Sequence, residues 1–321
     1  MKRLALHVIR TSGFAAMSLL GIAGCGSAAT VHRGPRNDRS FDIAITVDDL
    51  PAHGLLPGGM TRLGIAKLYL STLRAHGVPE AFGFVNAAKI AADPQSEQVL
   101  RAWRQAGYPL GNHGYAHQNL DGAKTFEIWM NDVRTGEPMV AKHMYARNWH
   151  WYRFPNLSTG ADLQRHDAAA AYLESHGYRV ASVSTFYRDW SYTDAYARCV
   201  AKGDQQAIAD LKAAYLKGVD AGIARMKAAS LRVYDRMIPQ VLLTHLGSWS
   251  AITLSDVLKR IEAAGGHYVT LEHAQADPAY AAAERIPGGG DIVDRTAKER
   301  KVDLSDLPDP QVPLHIDDLC K

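Results

Sequence analysis

Cysteine is scarce: the 321 residues hold three, Cys25, Cys199 and Cys320. Three cannot make a four-thiolate zinc site or a disulfide-dense scaffold. Net charge is nearly absent as well, with 36 Lys plus Arg against 33 Asp plus Glu. Without a polybasic run, the chain has no footprint for a phosphate backbone, so nucleic acid is not an expected partner. No Gly-x-Gly-x-x-Gly follows an apolar run, which removes a dinucleotide-binding unit. No apolar stretch approaches the ~20 residues that a membrane-spanning helix needs. What remains, 47% hydrophobic and 21% charged, is the composition of a globular chain with 14 His and 6 Trp.

The small positive excess sits at one end. Lys2, Arg3 and Arg10 precede every acidic residue, the first of which is Asp38. A basic start, a short apolar stretch from Phe14 to Ala23 and the sequence Ile22-Ala23-Gly24-Cys25 read as an export signal ending in a bacterial lipobox. Residues 1–24 are thus expected to be a signal peptide, and residues 25–40 a lipidated Cys25 followed by a Gly-, Ser- and Pro-containing tether. Gly26 after the Cys favours an anchor in the outer membrane facing the periplasm. With Cys25 acylated, Cys199 and Cys320 form an even pair in an oxidising compartment, and a disulfide between them is expected.

From residue 41 short apolar runs alternate with helical periodicity. Strand-like runs cover 41–47, 81–85, 108–110, 151–154, 178–183, 240–244 and 267–271. Helical stretches lie at 61–76, 94–106, 125–147 (broken near Gly136 and Pro138), 161–176 and 254–264. Strand then helix, about seven times over, predicts parallel strands with covering helices, closed as one barrel. A helical insertion at 192–237 is expected outside the barrel, and 286–321 as a poorly packed C-terminal extension.

In such barrels chemistry gathers where strands end. Those positions hold Asp48 and Asp49, Asn112 and His113 with His117, Arg153, Asp189 and His245. His113 and His117, four apart, can converge on one cation when a carboxylate joins them from another strand end. Adjacent carboxylates at 48 and 49 repel in a pocket unless a cation compensates. Alternation along a strand would point one at a metal and the other elsewhere. His53, just after the Asp pair, reads as either a pocket-lining or, by preference, a solvated loop residue, and Trp149–Tyr152 as either a sugar-stacking platform or core.

Five ordered segments, Thr46-Val-Asp48-Asp49-Leu-Pro51, His113-Gly-Tyr-Ala-His117, Arg153-Phe-Pro155, Asp189-Trp190 and Leu243-Thr-His245, resemble the motifs of the polysaccharide deacetylases (carbohydrate esterase family 4, the NodB-homology group). The resemblance spans about residues 41–275 and implies an α/β fold, a distorted (β/α)7-8 barrel of the NodB-homology type over 41–285. It implies that Asp49, His113 and His117 bind a divalent metal, usually zinc, with cobalt, manganese or nickel as alternatives. Asp48 would be the general base and His245 the general acid. Arg153 would orient Asp48, and Asp189 would tune His245. Asn156, Trp190 and Trp151 are the expected sugar contacts.

The implied reaction is removal of acetyl groups from N-acetylated poly- or oligosaccharides in the cell envelope. The alternatives are an O-acetyl esterase or another amidase on the same residues, and a non-catalytic glycan- or metal-binding lipoprotein. Val47, Leu50, Gly114, Asn156 and Leu157 depart from the family pattern. Two of them, Asn156 and Leu157, fall where the family lines its substrate pocket.

Overall fold

The computed structural model describes residues 40–145, 148–312 and 315–321. The expected signal peptide, Cys25 and the tether up to residue 39 lie outside the described residues. Eight strands form one sheet: β1 Phe41–His53, β2 Ala81–Val85, β3 Leu110–Asn112, β4 Trp151–Tyr152, β5 Arg179–Val180, β6 Thr185–Phe186, β7 Gln240–Gly247 and β8 Gly266–Val269. Their order is β5-β4-β3-β2-β1-β7-β6, with β8 beside the start of β1. Every pairing is parallel. The sheet curls into an open barrel of the NodB type, since β5 and β6 end the order and, among the described residues, do not pair.

Side-chain alternation explains both layers of packing. Ile43, Ile45 and Val47 of β1 face outward, into a cluster with Ile65, Tyr69 and Leu73 of the helix Arg62–Ala75 and Leu254, Val257 and Leu258 of the helix Ser248–Ala263. The residues between them face the barrel interior, where Ala44, Phe82, Phe84, Trp151 and Val241 pack together. Gly111 of β3 belongs to that inner row: a Cβ there would meet the rings of Phe84 and Phe82 at 2.7 and 2.9 Å. Inward rows therefore run from apolar to polar along each strand: Ala44, Thr46, Asp48; Gly111, His113; Trp151, Arg153; Val241, Leu243, His245.

The helical expectations hold where a cap marks the start. Thr61 accepts from Gly64 N, Thr125 from Ile128 N and Asp162 from Arg165 N, each opening a helix at the expected place. The predicted break near Gly136 and Pro138 is absent, because Phe126–Met144 is one helix. Gly136 serves close approach instead: a Cβ would sit 2.6 Å from Asn112 Oδ1 and 3.0 Å from the Gly114 carbonyl carbon. The 192–237 region is two helices, Trp190–Lys202 and Gln205–Tyr234. They pack on the outer face of the sheet, with Tyr192, Cys199, Tyr215 and Val219 buried in the cluster that takes the outward residues of β1.

The C-terminal residues correct a second expectation. The helix Ile292–Arg300 buries Ile292, Val293 and Ala297 in the inner cluster with Ala274 and Tyr280, so the segment after 286 is packed. Asp294, Lys298, Glu299 and Arg300 face solvent while a short apolar stripe docks, which a composition-based reading underrates. Cys199 and Cys320 are bonded, joining positions 121 apart. Arg198 donates to the carbonyls of Ile316, Asp317 and Leu319 beside that bridge. Among the described residues no helix is long and apolar enough to cross a membrane.

Candidate metal centre and active site

The polar ends of the inner rows meet in a cleft of about 320 Å³ lined by Asp48, Asp49, His53, His113, His117 and His245, with Asn156, Leu157, Phe186, Trp190, Leu243 and Gly290 around them. β1 delivers both carboxylates because its ladder shifts register after Val47 and Asp49 takes a φ of 65°. His113 follows β3 directly. The turn to His117 is fastened by Asp132, whose carboxylate accepts from Ala116 N at 2.7 Å and Gln118 N at 3.1 Å. Gly114 departs from the family pattern for a visible reason: a Cβ would overlap the Asp132 carboxylate.

Among the described residues, Asp49, His113 and His117 form the cluster able to hold a metal, their ligand atoms within 4.8 Å of one another. Asp49 Oδ1 lies 3.8 Å from His117 Nε2 and 4.0 Å from His113 Nε2. His113 Nδ1 is 2.7 Å from the Arg153 carbonyl, which can only accept, so Nδ1 carries the proton and Nε2 keeps its lone pair for the cleft. Burial pushes His113 down to about 4, and burial with the neighbouring His113 does the same to His117. Neutral imidazoles are the form a cation requires. Asp49 Oδ1 is buried and accepts no hydrogen bond, with Lys89 Nζ 3.3 Å away. One carboxylate oxygen and two imidazole nitrogens fit a zinc-type ion with open positions.

The two acids are driven apart. Burial raises Asp48 to about 6, against the opposing charge of Arg153, whose Nη1 is 3.5 Å away. Burial would also raise Asp49, but the bond from His53 and the charge of Lys89 more than offset it and hold that carboxyl well below its usual range. Arg153 is fixed by donation to Thr46 Oγ1 at 2.9 Å and by the Phe84 ring 4.7 Å beneath it.

Across the cleft His245 Nδ1 stands 3.0 Å from Asp189 Oδ1. Asp189 Oδ2 accepts from His245 N at 2.7 Å and Ser250 Oγ at 2.6 Å. Burial would lower His245, yet Asp189 outweighs it and the imidazole is raised. Asp189 itself, which burial alone would raise, is lowered by His245 and these bonds.

Asn156 and Trp190 line the cleft as expected sugar contacts, but Trp151 does not. It shares the inward face of Arg153 one layer deeper, 4% exposed, stacked by Arg179 at 4.0 Å. His53 takes the less favoured of its two readings and lines the cleft: Nδ1 donates to Asp49 Oδ2 at 2.7 Å, and its ring lies 4.8 Å from His245. Asp132, Asn86 and Lys89 were also missed. Asn86 donates to the His113 carbonyl at 2.7 Å. Asp132 had a signal in the sequence, an acid on the apolar stripe of Trp129, Val133, Gly136 and Val140.

Residues 36–181 match the family described as polysaccharide deacetylase. The comparison with curated proteins found no match to the chain. Similar solved structures include a variant of a Bacillus anthracis family 4 pseudoenzyme with restored enzymatic activity, at 14% identity and TM-score 0.48 over 74% of this chain and 68% of that one. The family 4 carbohydrate esterase of Streptomyces lividans with acetate shares 15% identity at TM-score 0.46, covering 73% and 95%. PdaA of Bacillus subtilis, another family 4 carbohydrate esterase, shares 16% at 0.46, covering 74% and 82%. The family match spans β1 to β5 and includes both carboxylates, both cleft-facing histidines of the β3 turn and Arg153, so that residues 36–181 match a polysaccharide deacetylase domain.

Proposed function

We propose that the chain is a metal-dependent hydrolase that removes acetyl groups from N-acetylated glycans of the cell envelope. The observation carrying this is that one cleft holds two adjacent carboxylates with opposite pKa directions, facing an imidazole whose pKa is raised. Such separation assigns acid and base roles. A divalent cation held by Asp49, His113 and His117 would polarise the acetamide carbonyl and acidify the attacking water.

The remaining work belongs to side chains. Asp48, poised near 6, takes the proton of the attacking water, and Arg153 opposes the burial that would otherwise neutralise it. His245, kept protonated by Asp189, gives its proton to the departing amine, which leaves poorly as an anion. Trp190 and Phe186 offer ring faces to the sugar. Export with a lipid anchor at Cys25 completes the reading, supported by the Cys199–Cys320 bridge, which belongs to an oxidising compartment.

The test is metal analysis of the purified protein with acetate release from acetylated chitooligosaccharides, peptidoglycan and xylan. We expect bound divalent metal, activity lost on chelation and its return with zinc, cobalt or manganese. Release from xylan esters alone would make the chain an O-acetyl esterase. Full activity in metal-free protein would overturn the mechanism.

A further inference from the structure

The open side of the barrel, between β5 and β6, is crossed by a strap of residues 284–292. At one end Gly288 and the chain after β4 exchange backbone bonds, Thr159 N to Gly288 O at 3.0 Å and Gly288 N to Gly160 O at 2.7 Å. At the other end Ile292 N donates to Val183 O at 2.8 Å, just before β6. Two buried side chains clamp the strap. Arg295 Nη1 donates to the Ile286 carbonyl at 2.8 Å and to Thr159 Oγ1 at 3.1 Å. His166 reaches the carbonyls of Thr159 and Glu284, each at 2.8 Å. Between these anchors Gly290 lines the cleft together with Asn156, Leu157, Trp190 and His245. All of the strap lies beyond the residues that match the family.

We propose that this strap makes the cleft one-ended, so that the enzyme acts on the terminal N-acetyl sugar of a chain or on short N-acetylated saccharides and not on sugars inside a polymer. The inference rests on the deacetylase reading above. A polymer passing through the site must leave on both sides of the sugar being deacetylated. The edge on which the sheet itself is open is the one that the strap closes, with backbone bonds at Gly288 and Ile292. The cleft volume of about 320 Å³ is at the small end of ligand pockets, which run ~300–1,000 Å³. Gly288 and Gly290 have φ of 127° and 90°, so the strap follows a path that residues with a Cβ rarely take. Gly289 is not so restricted, and a Cβ there has the Leu157 carbonyl 4.0 Å away as its nearest atom.

The experiment uses the metal-loaded full chain with N-acetylchitooligosaccharides from dimer to hexamer, locating each free amine by mass spectrometry. We expect the first free amine at the same terminal sugar for every length, with internal sugars untouched. Gly289→Leu, which narrows the closed end beside Leu157, should lower kcat/KM about tenfold at every length alike, because added sugars extend from the opposite, open side. Internal sugars deacetylated as fast as terminal ones, or an effect of Gly289→Leu confined to the longer oligomers, would overturn the strap's role. No acetate from any glycan would instead defeat the deacetylase reading. Calorimetric binding of the same oligomers to both proteins then decides the strap, a loss of affinity in Gly289→Leu confined to the longer oligomers refuting it.

Discussion

Replacing His53 by Ala tests whether Asp49 is prepared for a cation by its neighbours. His53 holds one oxygen of Asp49 at 2.7 Å, leaving Oδ1 turned toward His113 and His117. A hydrogen bond to a charged group contributes ~1.5–3 kcal/mol. Loss of a partner that orients a metal ligand costs roughly 10–100-fold in affinity, or ~1.4–2.7 kcal/mol, so the two routes agree. Competition of the apoprotein against a chromogenic chelator reads this without any turnover. His53→Ala should weaken zinc binding by about one to two decades. His53→Asn, whose amide can stand where Nδ1 does, should recover most of it, whereas His53→Gln should not. Thermal unfolding should barely change, since the ring is partly exposed beside the cleft. Wild-type affinity in His53→Ala, or equal loss in the Ala and Asn variants, would refute the reasoning.

Further outcomes follow from the same geometry. Asp189 raises His245, and the acid is competent only below its pKa, so Asp189→Asn should move the alkaline limb of the kcat–pH profile to lower pH; an unmoved limb contradicts the pairing. Gly136→Ala forces a Cβ against Asn112 and Gly114, and should cost ~1–3 kcal/mol by thermal unfolding and weaken metal binding together. Reducing the Cys199–Cys320 bridge frees a loop of 121 positions, up to roughly 5 kcal/mol in the chain-entropy account. That corresponds to a fall in Tm of roughly 8 °C for a body of this size. Coincident melting with and without reductant, or two free thiols in the native protein, would contradict the bridge.

What the sequence discloses and what it hides divide along physical lines. β2 and the capped helices were legible because apolar runs, Thr or Asp caps and Gly stops are local signals. β4 and β5 fall inside the apolar runs at 151–154 and 178–183, whereas β6, Thr185–Phe186, is too short for any period and exists because β7 offers free ladder groups. The strap was illegible for a related reason. Its hold on the barrel comes from Arg295 and His166, residues whose types predict exposure and whose bonds to the Thr159 hydroxyl and the Glu284 carbonyl span 136 and 118 positions.

The Asp pair shows where alternation fails and why the site depends on that failure. Were β1 regular, Asp48 and Asp49 would face opposite sides, and the cleft could hold one of them. Asp49 instead adopts a φ of 65°, a conformation open to few residues with side chains, Asp among them, at a cost of ~1–3 kcal/mol. Something must over-determine it, and the neighbours do: His53 binds one of its oxygens and Lys89 lies against the other. That single turn brings both carboxylates within reach of His113 Nε2, at 3.5 Å for Asp48 and 4.0 Å for Asp49. It also allows their environments to diverge, because Asp48 remains above Arg153 on the inner row while Asp49 enters the histidine cluster. Base and ligand can therefore be neighbours in sequence without sharing a function, a division that two consecutive residues on a flat strand could not achieve.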